Sequence, residues 1–176
     1  MVLKLKRTPG LYLVGFMAAG KSTVGRALAG ALGWSFADID LEIEKEQGVS
    51  ISDIFRERGE PAFRDIETET IRRHVDAIRS GIPSVVALGG GAFAQPRNWE
   101  ILENNGVTIW LDCPFEIVCR RIDGDVIARP LAVDRSRLAQ LFESRRSLYS
   151  RADFRVEVST GDIPSIVRHI LSLPVF

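Results

Sequence analysis

The chain has 176 residues, 45% of them apolar and 26% charged, with 23 basic residues against 23 acidic ones. That composition describes one globular domain of ordinary size, and a formal net charge of zero carries no nucleic-acid footprint. No apolar stretch reaches the length of a bilayer span, so neither a nucleic acid nor a membrane is expected as a partner.

Residues 1–8 are basic but lead into no apolar core with a small-residue cleavage site, so no secretory leader is expected. Residues 10–15 (Gly-Leu-Tyr-Leu-Val-Gly) form a short apolar run suited to a buried parallel strand. Residues 21–32 then carry Val24, Leu28 and Leu32 at helical spacing, and Gly33 stops the helix. Residues 34–38 read as a second strand. Two short helices are predicted over 40–47 and 51–58, each ended by a glycine, with Ser50 and Asp53 close to a capping box. Pro61 opens a longer helix to about Arg79. A buried strand over 84–88 ends in Gly89-Gly90-Gly91, and a helix over 96–103 leads to a strand over 107–111. Pro114 opens a helix bearing Arg120 and Arg121. Residues 123–134 show no period and are predicted to form a loop; 135–149 is helical, 154–158 a strand and 163–173 a closing helix. Cys113 and Cys119 have no ligand partners near them and read as buried reduced thiols, which points to the cytoplasm. Strands alternating with helices imply a parallel sheet covered on both faces, and with no repeat or linker the chain is predicted to be one domain over 1–176.

Gly15-Phe16-Met17-Ala18-Ala19-Gly20-Lys21-Ser22-Thr23 matches the P-loop pattern between a predicted strand and a predicted helix, a context that argues against a chance match. Glycines let backbone N–H groups wrap phosphates, the helix N-terminus adds a favourable dipole, Lys21 reaches the terminal phosphates and Ser22 can bind Mg²⁺. The guanine-reading Asn-Lys-x-Asp motif is absent. Further groups are less specific. Asp38-Ile39-Asp40 ends the second strand, where alternation would put both carboxylates on one side, one for the Mg²⁺ shell and one for an attacking hydroxyl; a helix cap plus a solvated neighbour is the plainer reading. Arg64 and Glu67 share a helix face, functionally or as a surface ion pair. The three glycines suit a close ligand approach or a flexible turn. Arg121, Arg129 and Arg145 are either functional cations or solvated charges.

Taken in order, Gly-x-Met-x-Ala-Gly-Lys-Ser-Thr, Asp-x-Asp, Ile-x-Asp-Ile-Phe, Gly-Glu, Phe-Arg-x-Ile-Glu, Gly-Gly-Gly, Arg-Pro-Leu and Arg with Leu-Tyr closely resemble shikimate kinase over residues 11–173. The resemblance implies a three-layer α/β/α P-loop domain with a five-stranded parallel sheet of order 2-3-1-4-5. It implies Mg²⁺-dependent transfer of the γ-phosphoryl of ATP to the 3-hydroxyl of shikimate, in aromatic amino-acid and chorismate biosynthesis, by a cytoplasmic monomer. By the same resemblance Ala18, Ala19, Gly20, Lys21, Ser22, Thr23, Arg121, Arg129 and Pro164 would bind ATP, and Ser22 and Asp38 would hold the metal. Asp40 would bind the ring hydroxyls and orient or deprotonate the attacking one. Arg64 and Arg145 would grip the carboxylate, Glu67 would hold Arg64, and Gly89, Gly90 and Gly91 would line the pocket. Phe55, Phe63, Pro130 and Leu131 would pack on the ring, with residues 40–79 the substrate helices and 123–134 a lid carrying catalytic Arg129. Ala18 departs from the family's usual glycine; a positive φ there would strain alanine by about 1 kcal/mol. The alternatives are a kinase for gluconate or AMP and a non-catalytic module sensing shikimate or nucleotide.

Overall fold

A computed structural model describes residues 10–124, 134–159 and 161–175. Strands β1 (Gly10–Val14), β2 (Ser35–Asp38), β3 (Ser84–Ala87), β4 (Val107–Asp112) and β5 (Phe154–Glu157) form one sheet in the order β2-β3-β1-β4-β5. Every pairing is parallel, as the strand–helix alternation requires. All five residues of β1 are buried. Side chains alternate between the faces of a strand, so both faces of the central strand are covered.

The register brings the strand ends to one edge. Leu13 and Asp38 both pair with Ala87, and Val14 pairs with Trp110. The chain leaving β1, β2, β3 and β4 therefore emerges along a common line, the edge where open α/β sheets bind ligands.

Helices α1 (Lys21–Leu32), α2 (Ile39–Gln47), α3 (Ile51–Arg79), α4 (Pro96–Leu102), α5 (Phe115–Asp123), α6 (Arg135–Tyr149) and α7 (Ile163–Leu171) complete the described residues, with a 3₁₀ turn over Ala92–Ala94. None is long and apolar enough to cross a membrane. The strands predicted over 34–38 and 84–88 are each trimmed by a residue, ends that fray by one or two positions in any assignment. The two predicted helices on either side of Gly59 run on as α3, broken where Gly59 takes φ 79, ψ 167. Pro61 follows in the first turn of the second half, where its missing N–H costs nothing. The break sets the Phe55 and Phe63 rings 4.8 Å apart on its two sides.

That Gly59 conformation belongs almost only to glycine, since a Cβ there clashes with the backbone. Gly59→Ala is expected to lower the unfolding free energy by about 1–3 kcal/mol, read from urea denaturation midpoints at constant slope. An unchanged midpoint would mean that the break tolerates a side chain.

Candidate active site at the sheet edge

The P-loop joins β1 to α1 as the sequence implies. Ala18 has φ 59 and Gly20 has φ 97, so alanine occupies the left-handed region in which it is strained. Ala19 N–H donates to the Phe16 carbonyl at 3.2 Å, closing the turn. No side chain caps α1 at Gly20, so the first-turn N–H groups and the helix dipole are presented to an anion. The Lys21 ammonium folds back to the carbonyls of Gly15 and Phe16, 2.9 Å from each. Across the loop, Arg121 of α5 donates from Nη1 to the Ala18 carbonyl at 2.9 Å. These groups line a cleft of about 570 Å³ together with Asp38, Asp40, Gly90, Gly161 and Ile163.

The two aspartates reach that cleft by a different route from the one predicted. Only Asp38 belongs to β2; Ile39 already starts α2, so Asp40 projects from the first turn of a helix and strand alternation does not relate the pair. The period-2 pattern Asp-Ile-Asp spans a strand end and a helix start, which spacing alone cannot separate. Asp38 serves both readings offered for it. Its Oδ1 accepts from Leu41 N–H at 3.3 Å as the α2 cap, while its Oδ2 accepts a short hydrogen bond from the Ser22 hydroxyl. Two hard oxygen donors side by side, in a cleft that opens on the uncapped start of α1, are of the kind that suits Mg²⁺.

The chain leaving β3 lies against everything else. A Cβ built at Gly89 would sit 2.5 Å from Asp40 Oδ1 and 2.9 Å from Glu67 Oε1. At Gly90 it would lie 3.3 Å from Met17 N in the P-loop, and at Gly91 it would lie 2.7 Å from Arg64 Nη2 and 3.1 Å from Arg145 Nη1. Arg64 donates from Nη1 to Glu67 Oε2 at 2.9 Å, and from Nε and Nη2 to Glu60 Oε1 at 3.1 and 2.9 Å. Its guanidinium lies 5.2 Å from the Phe63 ring centroid and 6.0 Å from that of Phe55. The pair is no surface ornament, because the Arg64 and Glu67 side chains are 11% and 1% exposed. From α6, Arg145 and Tyr149 both donate short hydrogen bonds to the Gly90 carbonyl. Burial raises the Tyr149 hydroxyl, which keeps it a neutral donor.

Comparison with known proteins bears on what such an edge belongs to. The family model described as shikimate kinase matches residues 17–173. The chain is 45% identical over 161 residues to a shikimate kinase of Persephonella marina, covering 92% of this chain and 96% of that one. The chain belongs to the shikimate kinase family. Among solved structures, a shikimate kinase from Acinetobacter baumannii in complex with shikimate superposes with TM-score 0.84 at 37% identity, over 94% of this chain and 92% of that one. The enzyme from Aquifex aeolicus gives 0.78 at 33% identity, over 92% and 93%.

The remaining positions that the sequence singled out fall in different places. Phe63 is buried and Phe55 half-buried beside Arg64. Thr23, next to Ser22, is exposed at the cleft, which it helps to line. Pro164 is exposed in the first turn of α7, where Gly161 and Ile163 line the cleft in its stead. Arg129, Pro130, Leu131 and most of the expected lid lie outside the described residues. Sequence reasoning missed the roles of Glu60 and Tyr149. The signal was there in both cases, since Glu60 lies four residues before Arg64 and Tyr149 four after Arg145, which places each pair on one helix face.

Glu67 stands out electrostatically. Its Oε1 is buried and finds no hydrogen-bond partner among the described residues. Burial raises its pKa from the ordinary 4.5 to about 7, against the opposing pull of Arg64 and with a smaller push from Asp40. Between those two values the folded protein holds a proton that the unfolded chain has released, so this contribution to stability is present below 4.5 and is lost as pH rises through about 7. The difference in unfolding free energy between the wild type and Glu67→Gln is therefore expected to fall across that window, read from urea denaturation at fixed ionic strength. Parallel profiles would mean that Glu67 titrates normally in the folded protein.

Proposed function

We propose that this protein is a shikimate kinase, which transfers the γ-phosphoryl of ATP to the 3-hydroxyl of shikimate and yields shikimate 3-phosphate and ADP. The observation that carries the reading is the convergence at Gly89–Gly91. There the P-loop, the carboxylate of Asp40 and the guanidinium groups of Arg64 and Arg145 surround one stretch of bare backbone. A small polyhydroxy acid needs cations for its carboxylate, an anion for its hydroxyls and a phosphoryl donor beside them, and planar guanidinium suits a carboxylate better than ammonium does.

In this reading the triphosphate lies on the uncapped start of α1, and Lys21 leaves the Gly15 and Phe16 carbonyls to meet the terminal phosphates. Ser22 and Asp38 would hold a Mg²⁺ ion, which when bound supplies charge neutralisation on the phosphates. Asp40 orients the attacking hydroxyl and accepts its proton as the oxygen–phosphorus bond forms and the bond from the γ-phosphorus to ADP breaks. Arg64 and Arg145 hold the shikimate carboxylate, with Glu67 fixing Arg64. The two unbridged, buried cysteines fit the reducing cytoplasm, where ATP is available.

The test is release of ADP with shikimate, run beside gluconate and AMP. Turnover is expected with shikimate alone; preference for gluconate or AMP would transfer the site to that substrate, and no turnover with any of them would favour a sensing module. Arg64→Ala and Arg145→Ala are each expected to raise KM for shikimate about ten- to a hundredfold, the worth of one charge-assisted bond, with little change in KM for ATP. Lys21→Ala and Asp40→Asn should instead lower kcat, each by about a hundredfold or more. An unaltered KM for shikimate in both arginine variants would remove the carboxylate clamp from the reading.

A further inference from the structure

Arg121 faces the nucleotide cleft from the last turn of α5, and its contacts there are with the protein itself. Nη1 donates to the Ala18 carbonyl at 2.9 Å, a bond that joins residues 103 apart in sequence. The same atom lies 3.8 Å from the Cys113 sulfur, and a Cβ built at Gly20 would come 3.5 Å from it. A P-loop turns its N–H groups inward to the phosphates, so its carbonyls are directed away and need partners elsewhere. Ala18 sits at φ 59, which strains an alanine, and the peptide that follows it is held on its N–H side by the Phe16 carbonyl and on its carbonyl side by Arg121.

We infer that Arg121 is a positioning residue of the P-loop, holding the strained Ala18 peptide from its carbonyl side so that the turn closed by Ala19 keeps the N–H groups at the start of α1 aimed at the phosphates before nucleotide arrives. This rests on the reading of the cleft as an ATP site, and it changes what Arg121 contributes there: its effect falls on phosphate binding whether or not a base is attached. A residue acting only on the adenine would leave a ligand without a base untouched.

The experiment uses the full chain in three forms, wild type, Arg121→Met and Arg121→Lys, with thermal unfolding to establish that each is folded. Lysine can still donate to the Ala18 carbonyl; methionine cannot. Two quantities are read: amide hydrogen exchange over residues 16–21 in the nucleotide-free protein, and the dissociation constants of ATP and of inorganic tripolyphosphate. Arg121→Met is expected to speed exchange in the loop and to weaken ATP and tripolyphosphate by the same factor, about tenfold for one charge-assisted bond. Arg121→Lys should restore most of both. If Arg121→Met fails to fold, Arg121→Gln, too short to reach the carbonyl, takes its place with the same expectations. Unchanged exchange, or weaker ATP binding with tripolyphosphate unaffected, overturns the inference, as does lysine restoring neither quantity. Should the wild type bind neither ATP nor tripolyphosphate, the reading of the cleft fails, and the exchange measurement alone then decides the contact.

Discussion

One stretch of backbone without side chains governs this site. Gly89, Gly90 and Gly91 are the closest approach of four elements that are otherwise separate: α2 with Asp40, the P-loop, α3 with Arg64 and Glu67, and α6 with Arg145. Gly89 faces α2 and α3, Gly90 the P-loop, and Gly91 α3 and α6, and at Gly89 and Gly91 a methyl group would fit only if those side chains moved away. The requirement is contact rather than flexibility, because none of the three has a positive φ. A side chain at Gly91 would fill the space between the two guanidinium groups, and one at Gly89 would part Asp40 from Glu67. The sheet makes the arrangement possible, since parallel register delivers the ends of β1, β2 and β3 to one line and the residues after β3 run between the other two.

Helix α6 shows how that meeting point is braced from outside. On one side Arg145 and Tyr149 both donate to the Gly90 carbonyl. On the other, Arg146 makes a two-pronged pair with Asp112 at the end of β4, at 3.0 and 3.2 Å, and Arg155 of β5 meets the same carboxylate at 2.8 Å. The two guanidinium groups lie 5.3 and 5.2 Å from the ring of Trp110. A carboxylate as buried as Asp112 is costly to desolvate and is tolerated only with such complete pairing. Neighbouring arginines on one helix therefore do different work. Arg145 faces the site, while Arg146 ties the helix to the sheet, and a shift of α6 would carry Arg145 with it.

Much of this was legible in the sequence where the determining pattern is local. The strands are apolar runs, the P-loop is a contiguous motif between a strand and a helix, and Gly59 with Pro61 marks the break in α3. What was not legible depends on surfaces meeting. Arg64 and Glu67 at a spacing of three residues read equally well as an exposed ion pair, and only the covering of α3 by the chain after β3 makes Glu67 a buried carboxylate with a displaced pKa. Asp38 and Asp40 looked like alternating residues of one strand because a helix that starts immediately after a strand leaves no spacer. The partnership of Arg121 with Ala18 spans more than half the chain and has no sequence signal at all. The family pattern implied Arg121 beside the adenine but gave no hint of the peptide it holds.

The charge arrangement around Arg64 shows how a chain of zero net charge can still carry a local excess of positive charge. The bonds to Glu60 and Glu67 use three of the five N–H donors of that guanidinium. They also fix its plane, so the position of both Nη atoms against Gly91 is set before any ligand arrives. Arg145 reaches the same glycine from another helix, and two like charges this close are favourable only with anions nearby. Glu60 is more than half exposed and is screened by water, while Glu67 is buried and resists ionising, so neither neutralises the pair in full. A carboxylate arriving at Gly91 would complete the balance that these residues leave incomplete. Such a carboxylate would meet donors already oriented by the bonds to Glu60 and Glu67, and a local excess of positive charge that one exposed and one buried acid leave uncancelled.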